Sequence, residues 1–120
     1  MKRLKSNFKF SDKRGLFIEV WKSKRWKRMN YLFCKKGYIR GGHYHKKSSE
    51  LFFIIEGACE VNVINLKTNK KNKLKVKAED IFVIEPYELH YIKALRDSKI
   101  IAVLDTLGNS SRYDMYSHEN

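Results

Sequence analysis

The stretch Gly37–Gly57, GYIRGGHYHKKSSELFFIIEG, decides the fold and holds most of the chemistry of this 120-residue chain. Two histidines, His43 and His45, are separated by one residue, and Glu50 follows five residues later. Side chains alternate between the two faces of an extended strand, so both imidazoles point the same way, with Cα atoms roughly 6.5 Å apart. Two imidazole nitrogens at that separation can converge on one atom.

Short apolar runs dominate the rest of the chain, and clusters of Gly, Asn, Asp or Lys interrupt them, as is typical of strands joined by turns. We predict strands near Leu16–Trp21, Met29–Cys34, Tyr38–Tyr44, Leu51–Glu56, Cys59–Leu66, Leu74–Lys77, Ile81–Ile84, His90–Ala94 and Lys99–Leu104. Only Ser110–Ser117 is compatible with a helix, a short terminal one. Many short strands at this spacing predict an all-β sandwich or barrel.

Length and composition fit one domain over residues 1–120, with enough hydrophobic residues for one core. No apolar run approaches the roughly 20 residues of a membrane span, and no hydrophobic segment follows the basic start Met1–Lys5, as a secretory signal would require. Cys34 and Cys59 lie in separate apolar strands. We expect them to be free, buried thiols in a reducing cytosol rather than a disulfide.

The net charge of +13 is spread over the chain, with concentrations at Lys22–Arg28 and Lys67–Lys77. Lysine with asparagine in Lys67–Lys73 predicts the solvated tip of a hairpin, whereas Trp26 lies among the cations of the first group. A positive field attracts a small anionic substrate such as a nucleotide diphosphate. The scattered lysines favour that interpretation, or a basic surface without a specific partner, over nucleic-acid binding.

The spacing G-x5-H-x-H-x4-E-x6-G resembles the first motif of the cupin superfamily at every defining position. The segment Ile84–His90, IEPYELH, resembles the second motif, with Tyr87 where a glycine is common. This resemblance covers about residues 8–107 and leaves a polar C-terminal tail. It implies a double-stranded β-helix, a small jelly-roll barrel whose mouth holds the site, and a reshaped loop before His90.

The resemblance also implies a metal centre formed by His43, His45, Glu50 and His90. Three nitrogens and one carboxylate suit a borderline divalent ion such as Zn²⁺, Fe²⁺, Mn²⁺ or Ni²⁺. A metal-free alternative stays open, because an imidazole with a pKa of about 6.5 can take a moderately acidic proton at neutral pH. In a third alternative these histidines are only packed polar residues.

The segment Ser11–Glu19, SDKRGLFIE, resembles the D-x-R-G-x-F-x-E opening of deoxysugar 3,5-epimerases, which act on nucleotide-linked 4-keto sugars. The segment Tyr38–Lys47 is similar to the R-G-x-H-x-H-K signature of sugar-nucleotide 3,4-ketoisomerases and to the zinc-binding cupin domain of capsule-sugar reductases. These resemblances imply a cytoplasmic isomerase or epimerase of a nucleotide-linked 4-keto-6-deoxy sugar, serving surface-polysaccharide biosynthesis without an organic cofactor.

In such an enzyme, His43 would take the proton beside the ketone, with His45 as the second catalytic histidine. Arg40 would contact the diphosphate through its fixed guanidinium fork, and the resemblance makes Arg14 a second anion contact. Tyr31 is a candidate substrate contact and acid, alongside Tyr91 and Tyr113 as the other candidate acids. Tyr44 alternates with the histidines and is expected to face the opposite side, in the core.

Two departures separate the chain from its metal-free relatives. The 3,5-epimerases usually carry glutamine at the position of His45, and the 3,4-ketoisomerases usually carry glutamine at the position of Glu50. Having both residues restores the metal-binding set. A metal that polarises the ketone and a purely structural metal both stay open at this point.

Two other functions are carried as alternatives: a metal-dependent cupin of another class, such as a dioxygenase, and a non-catalytic sugar- or metal-binding cupin. Cupins commonly pair through a sheet, often with exchange of an N-terminal strand. Phe8, Phe10 and the apolar run Leu16–Trp21 would serve such an exchange. We therefore expect a homodimer whose partner molecule is a nucleotide sugar, with no membrane association.

Overall fold

The computed structural model describes residues 1–110 and 112–117, and all of the regular structure in those residues is β. The twelve strands are β1 (Lys2–Leu4), β2 (Phe8–Asp12), β3 (Gly15–Glu19), β4 (Arg28–Cys34), β5 (Ile39–Tyr44), β6 (Glu50–Glu56), β7 (Ala58–Asn65), β8 (Lys71–Lys77), β9 (Ile81–Ile84), β10 (Glu88–Ala94), β11 (Ser98–Leu104) and β12 (Tyr116–Ser117). No helix in these residues is long and apolar enough to cross a membrane.

Two five-stranded antiparallel sheets enclose the core. The first has the order β1-β9-β6-β11-β4, and the second has the order β12-β5-β10-β7-β8. Many neighbours within each sheet are distant in sequence, which is the connectivity of a jelly roll. Alternate side chains of the facing strands fill the space between the sheets; the ring of Phe52 on β6, for example, lies 6.3 Å from that of His90 on β10. The predicted all-β cupin barrel is confirmed.

All nine predicted strands are present, and the predicted thiols Cys34 and Cys59 are free and buried. The prediction missed β1, β2 and β12, which are short or alternate apolar residues with charged ones. The helix suggested for Ser110–Ser117 is wrong in its described part, where a turn leads into β12. The remainder of that segment, Ser111, lies outside the described residues. The polar tail therefore joins a sheet instead of trailing from the barrel.

The hairpin formed by β2 and β3 stands apart from both sheets. These two strands pair only with each other in a two-stranded sheet. Four large apolar side chains on the hairpin are between 47% and 59% exposed, namely Phe8, Phe10, Leu16 and Phe17. The hairpin therefore presents an apolar surface that the rest of the described chain does not cover.

Candidate metal and catalytic site

Three strands and one loop bring the four predicted site residues together at one end of the barrel. His43 lies on β5, Glu50 begins β6 and His90 lies on β10, while His45 directly follows β5. One ligand atom from each residue lies within 4.8 Å of the other three. The closest pair of rings, His43 and His90, has centroids 4.6 Å apart, because the two residues are register partners on adjacent strands.

Backbone carbonyls orient two of the imidazoles. His45 Nδ1 donates to the Asp114 carbonyl at 2.8 Å, and His90 Nδ1 donates to the Glu88 carbonyl at 2.9 Å. A carbonyl only accepts hydrogen bonds, so each Nδ1 carries the proton in the neutral ring. The Nε2 atoms of His45 and His90 then face the Glu50 carboxylate, at 3.1 Å and 3.8 Å from Oε1.

Burial and charge set different pKa values for the three histidines. Burial lowers the pKa of His90 to about 4, although the Glu88 carbonyl and Glu50 partly offset this effect. Burial also lowers the pKa of His43, and the nearby His45 adds to the decrease. For His45, the hydrogen bond and charge of Glu50 outweigh burial and raise the pKa. His43 and His90 are therefore neutral at pH 7, and a proton is favoured between His45 and Glu50.

These donors fit a divalent metal ion. Two neutral imidazoles and a third that pairs with a carboxylate bring their donor atoms within 4.8 Å of one another, and a cation there would take the place of the proton that Glu50 favours on His45. Main-chain carbonyls hold the outer nitrogens of His45 and His90, which is the usual outer-shell support of a metal-binding histidine. The donor set suits Zn²⁺, Fe²⁺, Mn²⁺ or Ni²⁺ better than a hard cation that prefers oxygen.

A residue that the sequence analysis missed, Asp114, ties the tail to this site. Its carboxylate accepts hydrogen bonds from the backbone N–H groups of Lys46, Lys47 and Ser48, at 3.1, 2.7 and 2.7 Å. Burial by itself raises the pKa of Asp114, but the hydrogen bonds outweigh it and hold the pKa below its usual value. A polar tail without a recognised motif gave no signal for this contact.

A β-bulge in β5 places Arg40 on the same face as His43. The register passes from the pair His90–His43 to the pair Tyr91–Gly41, so Gly42 is an extra residue in β5. Gly41 and Gly42 both have positive φ, and a Cβ on Gly41 would lie 2.4 Å from the His90 carbonyl oxygen. The bulge thus requires glycine. Without it, strict alternation along β5 would place the Arg40 side chain on the outer face, opposite to that of His43.

Beyond the bulge, Arg40 pairs with the buried core residue Ile92, so its side chain leaves β5 on the inner face. The guanidinium reaches across to β4 and donates to the Phe33 carbonyl at 3.1 Å. Lys35 and Tyr38 join Arg40 and Phe33 around a cavity of about 410 Å³ at this edge of the barrel.

The loop before His90 keeps a glycine-like backbone in spite of Tyr87, which has a φ of 64°. The Tyr87 N–H donates to the His45 carbonyl at 2.7 Å, and its ring stacks on Tyr44 with centroids 6.1 Å apart. Tyr44 does face away from the histidines, as expected, but it lies on the outer surface between Tyr87 and Tyr116 and not in the core. The stack and the hydrogen bond hold a conformation that a tyrosine rarely adopts.

The other predicted residues lie away from the cluster. Arg14 is at the turn of the β2–β3 hairpin, where it pairs with Asp12 at 2.7 Å. Tyr31 is 57% exposed on the outer face of the first sheet, and Tyr91 covers Gly42 on the outer face of the second. Tyr113 packs on Gly108, one residue before Asp114. Their roles stay predictions.

The jelly-roll barrel with its cluster of three histidines and one glutamate defines a cupin. A model of the polysaccharide biosynthesis C-terminal domain matches residues 10–115. The chain belongs to this family.

Solved structures confirm the predicted resemblance to nucleotide-sugar 3,5-epimerases and 3,4-ketoisomerases. A dTDP-4-dehydrorhamnose 3,5-epimerase from Sulfolobus tokodaii is 26% identical with a TM-score of 0.76, over 91% of this chain and 72% of the epimerase. A 3,4-ketoisomerase from Helicobacter canadensis has a TM-score of 0.82 at 18% identity, over 98% of this chain and 90% of the ketoisomerase. At that lower identity the likeness concerns the fold.

A related sequence belongs to a longer protein. The UDP-2-acetamido-2,6-beta-L-arabino-hexul-4-ose reductase of Pseudomonas aeruginosa is 29% identical over 75 residues, which are 62% of this chain and 20% of the reductase. The chain thus matches only about a fifth of the length of this relative.

Proposed function

We propose that this chain is a cytoplasmic enzyme, an isomerase or epimerase of a nucleotide-linked 4-keto-6-deoxy sugar in surface-polysaccharide biosynthesis. The observation that carries the proposal is the inner face of β5, where the bulge puts Arg40 on the same face as His43, opposite Ile92, which is two residues beyond the His43 partner His90 on β10. The epimerase and ketoisomerase with the same fold support it, because their names describe this substrate class or reaction. The family description also refers to polysaccharide biosynthesis.

His43 is suited to be the base. It is half-buried at the mouth, and its lowered pKa keeps the ring neutral and able to accept a proton at pH 7. A 4-keto group acidifies the neighbouring C–H bonds. His43 would take the proton from carbon while the electron pair of the C–H bond moves toward the ketone oxygen. Return of a proton to the opposite face of the same carbon completes epimerisation. For migration of the ketone from C4 to C3, the proton of the C3 hydroxyl passes to the C4 oxygen and a proton returns to C4, which leaves the carbonyl at C3.

A divalent ion would be held by His45, Glu50 and His90, the three buried members of the cluster. When bound, such an ion supplies positive charge that polarises a ketone and stabilises the enolate oxygen. This division leaves His43 free, because one nitrogen lone pair cannot both bind a metal and accept a proton. The motif resemblance implies both roles for His43, and the proposal keeps the catalytic one.

The substrate diphosphate would lie against Arg40. Its guanidinium can make two parallel hydrogen bonds to a phosphate, and it lines the same cavity as Lys35. The aromatic ring of Tyr38 borders this cavity and offers a surface on which a nucleobase can stack. The net charge of +13 would raise the local concentration of such an anion.

A second candidate is a non-catalytic binding domain. The P. aeruginosa reductase favours it, since this chain matches only 20% of that protein. Such a domain would bind a nucleotide sugar or a metal without exchanging the protons of the sugar.

The deciding experiment is proton exchange in D₂O. Incubation with a nucleotide-linked 4-keto-6-deoxyhexose should remove the ¹H signal at C3 or C5, and the position lost distinguishes ketone migration from epimerisation. Bound sugar without exchange would favour the binding domain. Oxygen consumption by the Fe²⁺-loaded protein, again without exchange, would favour the dioxygenase.

We also propose a homodimer that forms through the outer face of the first sheet. On β4, Met29, Tyr31 and Phe33 are 71%, 57% and 39% exposed. Next to them, a largely apolar cavity of about 360 Å³ contains Trp26, whose Nε1 is buried without a hydrogen-bond partner among the described residues. A contiguous apolar face of this kind is typical of an obligate interface.

For this interface, Tyr31→Glu should convert a dimer to a monomer in light scattering, because it would bury an unpaired carboxylate between two apolar sheets. Ile39→Glu is the matched control. Ile39 is 60% exposed on the second sheet and should tolerate the charge without dissociation. A wild-type protein that is monomeric at all concentrations would contradict the dimer.

A further inference from the structure

Residues 112–117, which follow β11 and include β12, lie along one side of the proposed site. Within residues 112–117, β12 pairs with the end of β5, where Tyr116 is the partner of Tyr44 and Ser117 is the partner of His43. The ring of Tyr116 lies 5.7 Å from that of Tyr44, and Lys46 Nζ lies 4.2 Å from the Tyr116 ring centroid. This end of the segment is therefore fixed directly against the strand that carries His43.

The other end of the segment is fixed against β4 and the residues after β11. Tyr113 packs on Gly108, and the Arg28 guanidinium lies 5.9 Å from the Tyr113 ring centroid. Arg28 Nε also donates to the Thr106 carbonyl at 2.7 Å. Asp114 lies between these two attachments with a φ of 58°, a left-handed conformation that Asp tolerates better than most residues.

We propose that Asp114 is the positioning residue of the site. From outside the sequence motif, it fixes the orientation of two of the four clustered groups, His45 and Glu50. The inference rests on the proposed metal-assisted function and extends it to a residue that touches neither substrate nor metal. Asp114 acts through His45 on one side and through the loop before Glu50 on the other.

The main-chain carbonyl of Asp114 fixes the ring orientation and the tautomer of His45. It accepts the Nδ1 proton at 2.8 Å, so Nε2 is the nitrogen that faces Glu50 and that a metal ion would bind in place of a proton. A ring that turned over, or that exchanged its tautomer, would present a proton to the centre of the cluster instead of a lone pair. A contact of this kind normally raises ligand basicity and fixes ring orientation.

The carboxylate of Asp114 fixes the backbone conformation of the loop between His45 and Glu50. Only residues 46–49 separate these two groups, and three consecutive N–H groups of this loop, those of residues 46–48, donate to Asp114. The chain passes from exposed Lys46 and Lys47 to buried Ser48, where a backbone N–H needs an acceptor. One carboxylate, on a residue that is only 8% exposed, accepts from all three N–H groups. The loop is thereby held in the shape that aims Glu50 at the histidines.

Asp114→Asn tests the inference. An asparagine keeps the main-chain carbonyl and the size of the side chain, but its NH₂ group would face N–H donors of the loop. We expect Zn²⁺ affinity, measured by competition with a chelator, to fall by about 10- to 100-fold. We also expect the visible absorption bands of the Co²⁺-loaded protein to shift, which a merely structural role would not produce.

Asp97→Asn is the matched control. The Asp97 carboxylate also accepts a backbone N–H, that of Lys36 at 2.9 Å, but at a turn that the cluster does not touch. This variant should keep wild-type Zn²⁺ affinity and Co²⁺ bands. Equal affinity and bands for Asp114→Asn and wild type would overturn the inference.

Two further measurements cover the cases in which Asp114→Asn unfolds or the wild type binds no Zn²⁺. Tyr116→Ala loosens β12 and leaves Asp114 intact, so it should change affinity and bands in the same direction but less. In the metal-free wild type, ¹H–¹⁵N correlations of neutral His45 should show the proton on Nδ1 alone, and Tyr116→Ala should mix the tautomers. If neutral His45 of the wild type showed both tautomers, the inference would be overturned. If it showed one tautomer and the protein did not bind Zn²⁺, only the proposed metal binding would be overturned.

Discussion

The variant His43→Ala is expected to lose exchange of the sugar protons while it keeps its fold and its metal. Removal of a positioned base typically costs about 10²- to 10⁴-fold in rate, and His43 is the least buried member of the cluster. Its side chain makes no contact on which the barrel core depends, so the melting temperature should change little. The measurement is the rate of deuterium incorporation by NMR, with bound Zn²⁺ determined on the same samples.

Lys93→Ala is a suitable control for this experiment, because Lys93 is an exposed residue on the outer face of β10, the strand that carries His90. It should exchange at the wild-type rate. Wild-type exchange in His43→Ala would move the base elsewhere. If His43→Ala lost bound Zn²⁺ as well as exchange, His43 would instead be a metal ligand, the role that the motif resemblance also implies.

The variant Glu50→Gln is expected to abolish stabilisation of the protein by Zn²⁺. Glu50 supplies the only carboxylate of the cluster, and its Oε1 faces Nε2 of both His45 and His90. A neutral amide removes the charge that balances the cation, so affinity should fall by more than the roughly 10- to 100-fold cost of losing an outer-shell partner. Because a ligand that binds only the folded state stabilises it by RT ln(1 + [L]/Kd), the Zn²⁺-induced increase in melting temperature should disappear once Kd rises above the Zn²⁺ concentration used.

Glu60→Gln gives the comparison for this loss of charge. Glu60 lies on β7 and is 3.8 Å from Lys73 on the outer surface. An exposed ion pair of this kind contributes little, so the variant should keep both the wild-type melting temperature and its response to Zn²⁺. If Glu50→Gln also kept that response, the metal would have to bind somewhere else, and the buried cluster would act without it.

The fold and the cluster could be predicted because both depend on local spacing. The motif around His43 and His45 carries the ligands at fixed intervals, and the apolar runs between turn residues mark nine of the twelve strands. The face on which Tyr31 lies was not predictable in this way. Its strand is apolar at nearly every position from Met29 to Cys34, and such a pattern does not indicate which face is inside.

The contacts that complete the site depend on register and on distant parts of the chain. Asp114 reaches the motif only because β12 pairs with β5, and a two-residue strand has no pattern of its own. Tyr87 keeps the backbone of a glycine through its stack on Tyr44, a tertiary contact that overrides local preference. The orientation of Arg40 depends on a single extra residue in a ladder, which becomes visible only when both strands are aligned.

The bulge at Gly41 and Gly42 also has an evolutionary consequence. Deletion of one of these two codons would restore a regular ladder between β5 and β10, and the residues of β5 before the deletion would then change faces. Arg40 would turn to the outer surface, whereas His43, His45, Glu50 and His90 would keep their places. On the proposed function, a single deletion would therefore remove the anion contact and leave the four clustered residues in place, and the reverse insertion would restore that contact.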